Sequence, residues 1–269
     1  MQNATTSATT SRVTQIFRSI RLLLHIISGL VQSAVYPHLD QSAQRRMAQN
    51  WSAGLLAILS IRLRHSGVAP AAEMQPVMLA ANHVSWLDVY SLNAVCPARF
   101  VAKSEIRDWP LLGWLSQNAG TLFIERTKRS DTARINEDIG NALTMGDRVT
   151  VFPEGTTSDG TLLRHFHASL LQPAVTVSAI LYPVAIRYSD ATGVLSKSAA
   201  FASISMLESL RRILRQPWIE VELIFTDPIG SSGKNRRELA RYAEHAIASV
   251  LSLPVPHKTP GKPFDLPGE

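Results

Sequence analysis

The chain has a single cysteine, Cys96, so no disulfide can close within it. CxxC pairs and the Cys/His spacings of zinc modules are absent too. Charge is also scarce. Charged residues make up 18% of the 269 positions against 45% hydrophobic, a balance that leaves apolar surface for lipid to cover. The few charges lean positive, with a net charge of +6 and a pI of about 9.8. That suits anionic lipid or an acidic small molecule. No Lys/Arg-rich block interleaved with aromatics stands out, so nucleic acid is not an expected partner. No Gly-x-Ser-x-Gly elbow or internal repeat occurs either, which argues against a serine hydrolase and a solenoid.

What is present begins with an apolar N-terminal region. Residues 1–12 are rich in Ser, Thr and Asn and are expected to be disordered. Arg18 and Arg21 then precede residues 22–39, a run without Asp, Glu, Lys or Arg. As a helix this run reaches about 27 Å, just short of a bilayer core. His25, Ser28, Gln32 and Ser33 interrupt it and Pro37 ends it, so it makes a poor clean span. Basic residues start only at position 12 and no small-residue cleavage site follows, which argues against a signal peptide. A second apolar stretch, 51–61, is flanked by Arg45, Arg46, Arg62 and Arg64. Two basic-flanked apolar helices in succession predict a membrane-associated helical hairpin over 13–66, with its arginines at anionic headgroups.

From residue 67 to 253 the pattern is that of an α/β domain. Short apolar runs at 77–81, 99–102, 121–125, 148–152, 180–187 and 219–225 read as strands, with helical stretches between them. In the helix expected over 131–144, Ile135, Ile139, Ala142 and Leu143 share one face and Gly146 follows as a stop. Another helix is expected over 235–252. The alternation predicts a mostly parallel sheet flanked by helices, with ligands gathered at the carboxyl ends of its strands. Residues 254–269 hold five prolines and read as a tail.

Three polar clusters directly follow candidate strands. The first is Asn82-His83-Val84-Ser85-Trp86-Leu87-Asp88. On a regular helix a spacing of five puts His83 and Asp88 about 140° apart. Ser85-x-x-Asp88, however, has the form of a capping box, with Asp88 reaching back over the helix start. His83 then lies just ahead of the helix, where one ring nitrogen can donate to Asp88 and the other can act as a general base. On spacing alone the pair reads first as a capped helix with a hydrogen-bonded histidine. The second cluster, Gly120 to Arg126 with Lys128 and Arg129 behind it, puts cations at a strand end, as does Lys103. The third, Val151 to Gly160, frames Glu154 with Pro153 and Gly155 in a rigid turn. His165-Phe166-His167 has an H-x-H form but no obvious third ligand, so a metal is not expected.

Read together, these segments resemble the glycerolipid acyltransferase family, that of the 1-acylglycerol-3-phosphate acyltransferases. The matching elements are His83-x4-Asp88, Gly120-x-x-Phe123-Ile124-x-Arg126, Phe152-Pro153-Glu154-Gly155-Thr156 and the block around Pro183. The resemblance implies an acyltransferase in which His83 deprotonates the acceptor hydroxyl and Asp88 orients it. It further implies that Arg126 meets the acceptor's headgroup, that Glu154, Gly155 and Thr156 help form the acceptor site, and that Pro183 borders the donor site. The donor would be acyl-CoA or acyl-acyl-carrier protein, with no cofactor. The expected place of work is the cytoplasmic face of a bacterial inner membrane. The implied acceptor is lysophosphatidic acid, giving phosphatidic acid. One departure bears on this. Many family members have Arg after the Phe-Pro-Glu-Gly-Thr block, where this chain has Thr157. Lyso-ornithine lipid is the alternative acceptor, and a non-catalytic lipid-binding protein is the alternative class.

Overall fold

The computed structural model describes residues 9–71, 73–109, 112–125 and 129–256. Two helices open the chain. Helix α1 (Arg12–Val35) starts where Ser11 Oγ accepts the Thr14 N–H at 3.2 Å. Helix α2 (Gln41–Ile58) starts where Asp40 accepts the Ala43 N–H at 2.9 Å. Glycines let the two approach closely. A Cβ on Gly29 would lie 2.7 Å from the Trp51 indole, and one on Gly54 would lie 2.8 Å from the His25 ring. The His25 and Trp51 rings stack at 4.6 Å in the gap this leaves. The rest of α1 is less engaged, since Ile16, Phe17, Ile20, Leu23, Leu24 and Ile27 form an exposed apolar stripe.

The expected hairpin is therefore present, but it ends before residue 66. Residues 61–66 form strand β1 (Ile61–Ser66), paired in parallel with β7 (Ile219–Phe225). Ser60 takes a left-handed φ of 57° and ends the helical path. Beyond it Ile61-Arg62-Leu63-Arg64 alternates with the strand period of two. Arg62 lies over the Trp218 ring at 4.0 Å, and Arg64 pairs with Glu220 at 3.1 Å. The Ser/Thr-rich start is held from Thr10 onward, whose N–H donates to the Arg215 carbonyl at 2.9 Å. Residues 1–8 and the Pro-rich stretch from 257 lie outside the described residues.

The remaining strands are β2 (Val77–Ala81), β3 (Arg99–Lys103), β4 (Leu122–Ile124), β5 (Val149–Val151), β6 (Ile180–Asp190) and β8 (Ile229–Gly230). The sheet order is β1-β7-β6-β2-β5-β3-β4, with β8 also on β6. Strands β6, β2, β5, β3 and β4 are mutually parallel, while β7 runs antiparallel to β6. The mostly parallel sheet is thus as expected, and all six expected strands are present. Strands β2 and β5 are buried at every residue because helices cover both faces. Side chains of Leu79, Ala81 and Tyr188 join one core with α2, α3 (Leu87–Val95) and α7 (Met206–Arg215). Met78 and Ala80 point the other way, toward α5 (Arg129–Thr144), α6 (Gln172–Thr176) and α8 (Arg236–Leu251), while the short α4 (Leu112–Asn118) packs near α1. A capping box of Asn235 and Glu238 opens α8.

Candidate active site

The carboxyl end of β2 carries the first polar cluster. Asn82 extends the sheet with its side chain. Its Nδ2 donates to the Ile186 carbonyl at 3.0 Å and its Oδ1 accepts the Ile186 N–H at 2.7 Å. The chain then turns into α3, whose first turn holds Asp88, fully buried. Asp88 Oδ2 accepts from His83 Nδ1 at 2.8 Å, from the Val84 N–H at 2.8 Å and from the Ser85 N–H at 3.0 Å. Its Oδ1 accepts the Tyr188 hydroxyl at 2.7 Å. Only half of the expected capping box forms. The carboxylate reaches back to the Ser85 N–H, but Ser85 Oγ accepts from Leu87 rather than Asp88, and Trp86 holds the cap position.

A carboxylate can only accept, so its contact fixes the proton of a neutral His83 on Nδ1 and leaves the Nε2 lone pair free. No group among the described residues bonds Nε2, and 20% of the side chain stays exposed. Phe152 stacks on the ring at 4.0 Å and 14°, fixing its plane. An imidazole held this way can accept a proton from a hydroxyl through Nε2.

The turn after β5 supplies the second wall. Gly155 takes a φ of 73°, a conformation that favours glycine. Glu154 is buried, and both of its oxygens are engaged by backbone. Oε1 accepts the His83 N–H at 2.7 Å and Oε2 accepts the Arg164 N–H at 2.9 Å. Burial, with the nearby charge of Asp88 adding to it, pushes this carboxyl up to about 7 despite the two backbone donors. Glu154 therefore braces the loop that carries His83, a role its sequence position did not signal. Gly155 and Thr156 sit at the rim, and Thr157 turns its hydroxyl onto the Phe201 carbonyl.

The other expected site residues scatter. Lys103 is exposed at the carboxyl end of β3, on the same sheet edge but two strands from β2. Pro183 is buried inside the sheet, where β6 changes partner from β8 to β7 and needs no N–H on that side. Its carbonyl takes the Thr226 N–H and hydroxyl. Arg126 and Lys128 lie outside the described residues. His165 Nδ1 stands 3.5 Å from a Glu244 oxygen, a structural place for the H-x-H segment. Sequence reasoning missed Tyr188, which is 100 residues from Asp88, because no local spacing connects them.

A cavity of about 140 Å³ opens between the hairpin and the domain, lined by Gly29, Trp51, Tyr90 and Phe100 among others. Phe100 also stacks on Phe152 at 6.1 Å, so the cavity is one ring removed from the ring that packs on His83.

Comparison with known proteins matches residues 62–187 to the acyltransferase family model. A lyso-ornithine lipid O-acyltransferase of Pseudomonas aeruginosa is 39% identical over 249 residues, spanning 90% of this chain and 95% of the relative. The chain belongs to the acyltransferase family. This acyltransferase is also 38% identical over 200 residues to a 1-acyl-sn-glycerol-3-phosphate acyltransferase of Neisseria meningitidis, across 74% of the chain and 78% of that relative. Its fold is similar to that of the 1-acyl-sn-glycerophosphate acyltransferase PlsC from Thermotoga maritima. The TM-score is 0.60 at 21% identity, over 87% of this chain and 96% of the other. His83, Asp88 and Glu154 lie within the segment matched to the family; Tyr188 is the first residue past it.

Proposed function

We propose that this acyltransferase moves a fatty acyl chain from a thioester, acyl-CoA or acyl-acyl-carrier protein, to the free hydroxyl of a lysolipid. The observation that carries the reading is His83, oriented through Nδ1 by a buried Asp88 and with no partner on Nε2 among the described residues. Nε2 takes the hydroxyl proton as the acceptor oxygen attacks the thioester carbonyl. The tetrahedral adduct collapses, the C–S bond breaks, and the imidazolium returns the proton to the sulfur. An ester and a free thiol result. The cavity beside Phe100 offers apolar space for an acyl chain.

The acceptor best supported is lyso-ornithine lipid. Thr157 stands where a phosphate-binding Arg is common in the family, and its hydroxyl is committed to the Phe201 carbonyl. The Pseudomonas aeruginosa relative of that name aligns over nearly the whole chain. Lysophosphatidic acid is the second reading, supported by the Neisseria meningitidis relative and by two exposed cations, Lys103 at the carboxyl end of β3 and Arg164, whose backbone N–H is bonded to Glu154. We assign the work to the cytoplasmic face of the membrane, with α1 as the attachment.

A panel of lysolipids with and without phosphate, assayed with both donor types, tests the proposal. Ester formation with at least one acceptor is expected, fastest with lyso-ornithine lipid. A preference for lysophosphatidic acid would select the second acceptor, and no turnover of any lysolipid would overturn the proposal. His83→Ala should lower kcat by about 100- to 10,000-fold, the usual worth of a general base. Retained activity in that variant would refute the mechanism.

A further inference from the structure

We infer that Tyr188 is a positioning residue for acyl transfer, acting through Asp88 on the base His83. The inference deepens the reading of His83 as the base and rests on it. The site is built around the two oxygens of one carboxylate. Oδ2 is shared among three donors, His83 Nδ1 and the N–H groups of Val84 and Ser85. Oδ1 takes the Tyr188 hydroxyl at 2.7 Å. With both residues fully enclosed, no water can replace the phenol. The hydroxyl thereby sets the rotation of the carboxylate plane, and with it the direction in which Oδ2 meets the imidazole.

The fold explains why the phenol arrives there. Ala81, the last residue of β2, pairs with Val184, so β6 runs on past the end of β2 from residue 185 to Asp190. That overhang underlies the whole catalytic loop. Asn82, at the start of the loop, is clamped to the backbone of Ile186 through both amide atoms. Asp88, at its end, is held by Tyr188, two residues further along the same strand and on the same face. Burial and the Asp88 charge hold the phenol well above its ordinary range, so its proton stays available for donation.

A purely structural tyrosine and a positioning one make different predictions. Losing the donor leaves more charge on Asp88, which then stabilises a proton on His83 more strongly. The acid limb of the kcat–pH profile moves to higher pH, because only neutral His83 can act as the base. Glu154, the titratable group that packs on this loop from the turn after β5, keeps both of its backbone partners.

The test uses the full-length enzyme with whichever lysolipid it turns over. Tyr188→Phe is expected to lower kcat by about 10-fold or more, the worth of one hydrogen bond to a charged group. KM for both substrates should stay within about twofold and the acid limb should rise. Adding Tyr188→Phe to Asp88→Asn should cost little further, since the phenol acts through that carboxylate. A fluorinated tyrosine at 188 keeps shape and hydroxyl but donates more strongly. It carries the test even where Phe destabilises the chain, and it should move the acid limb to lower pH. An unchanged kcat and pH profile in Tyr188→Phe, an unmoved limb with the fluorinated side chain, or a full additive loss in the double variant would each overturn the assignment. An inactive parent enzyme would instead refute the reading of the reaction itself.

Discussion

Two buried carboxylates meet at His83, and they are furnished differently. Asp88 collects four donors, whereas Glu154 has two backbone N–H groups in a site that burial makes hostile to charge. A carboxyl near 7 in the folded chain and near 4.5 when unfolded keeps its proton in the native state where the unfolded state has lost it. Its folded value is raised, so the stability it contributes is full below about pH 4.5 and is lost as pH rises through 7. The loss amounts to about 3 kcal/mol at 1.36 kcal/mol per pKa unit. Glu154→Gln should flatten this slope, as chemical denaturation of parent and variant in detergent between pH 4.5 and 8 would reveal; parallel curves would show that Glu154 does not carry it. His83 and Asp88 were legible in the sequence because five residues and a helix start contain their whole relationship. The bracing role of Glu154 was not, because one of its partners is 71 residues away and both are backbone groups that a motif cannot display.

At the scale of elements, helix α1 is locked to the domain by a buried arginine. Arg18 donates from Nη1 to the Gln216 carbonyl at 2.7 Å and from Nη2 to the Pro217 carbonyl at 2.9 Å, with the Leu214 carbonyl 3.4 Å away. These carbonyls lie where α7 ends, so a cation suits them in charge as well as in geometry. Arg18→Met removes the donors to the part-buried Gln216 and Pro217 carbonyls, at a cost of about 2 kcal/mol. Arg21→Met, an exposed position one turn along the same helix, should cost almost nothing. Thermal unfolding of the two variants side by side would check the contrast, and equal midpoints would contradict it. The sequence marked Arg18 only as a charge before an apolar run, since its partners lie 196 to 199 residues away. The strands of the parallel core, by contrast, were legible from apolar runs alone, because burial on both faces demands them. Strand β1 was not, because its two arginines made 61–66 resemble the basic flank of a membrane helix.

For the molecule as a whole, the hairpin is part of the body and, under the proposed function, also its attachment to lipid. Leu22, Leu55 and Leu56 belong to the same core as the sheet, and β1 follows directly from α2. Deleting residues 1–66 would strip an edge strand and part of the core, so insolubility of that truncation would say nothing about membranes. The informative change is confined to the outer stripe of α1. The helix is long and apolar enough to cross a bilayer by length and composition, yet Arg18 fastens one side of it to α7 and Gly29 presses it onto α2. A helix held along its length by the domain can offer lipid only its free side, which fits shallow insertion into one leaflet. Replacing Phe17, Ile20 and Leu24 with Ser removes three exposed side chains from that side while leaving the packed face intact. Each large apolar side chain is worth about 1.5–3 kcal/mol on transfer from water, so membrane binding should weaken by about 5 kcal/mol. The triple variant should stay in the supernatant when sedimented with phosphatidylglycerol-containing vesicles, with its unfolding midpoint close to that of the parent. Co-sedimentation equal to the parent would show that another surface holds the enzyme on the bilayer. Loss of binding together with loss of folding would mean that the stripe packs against the protein itself.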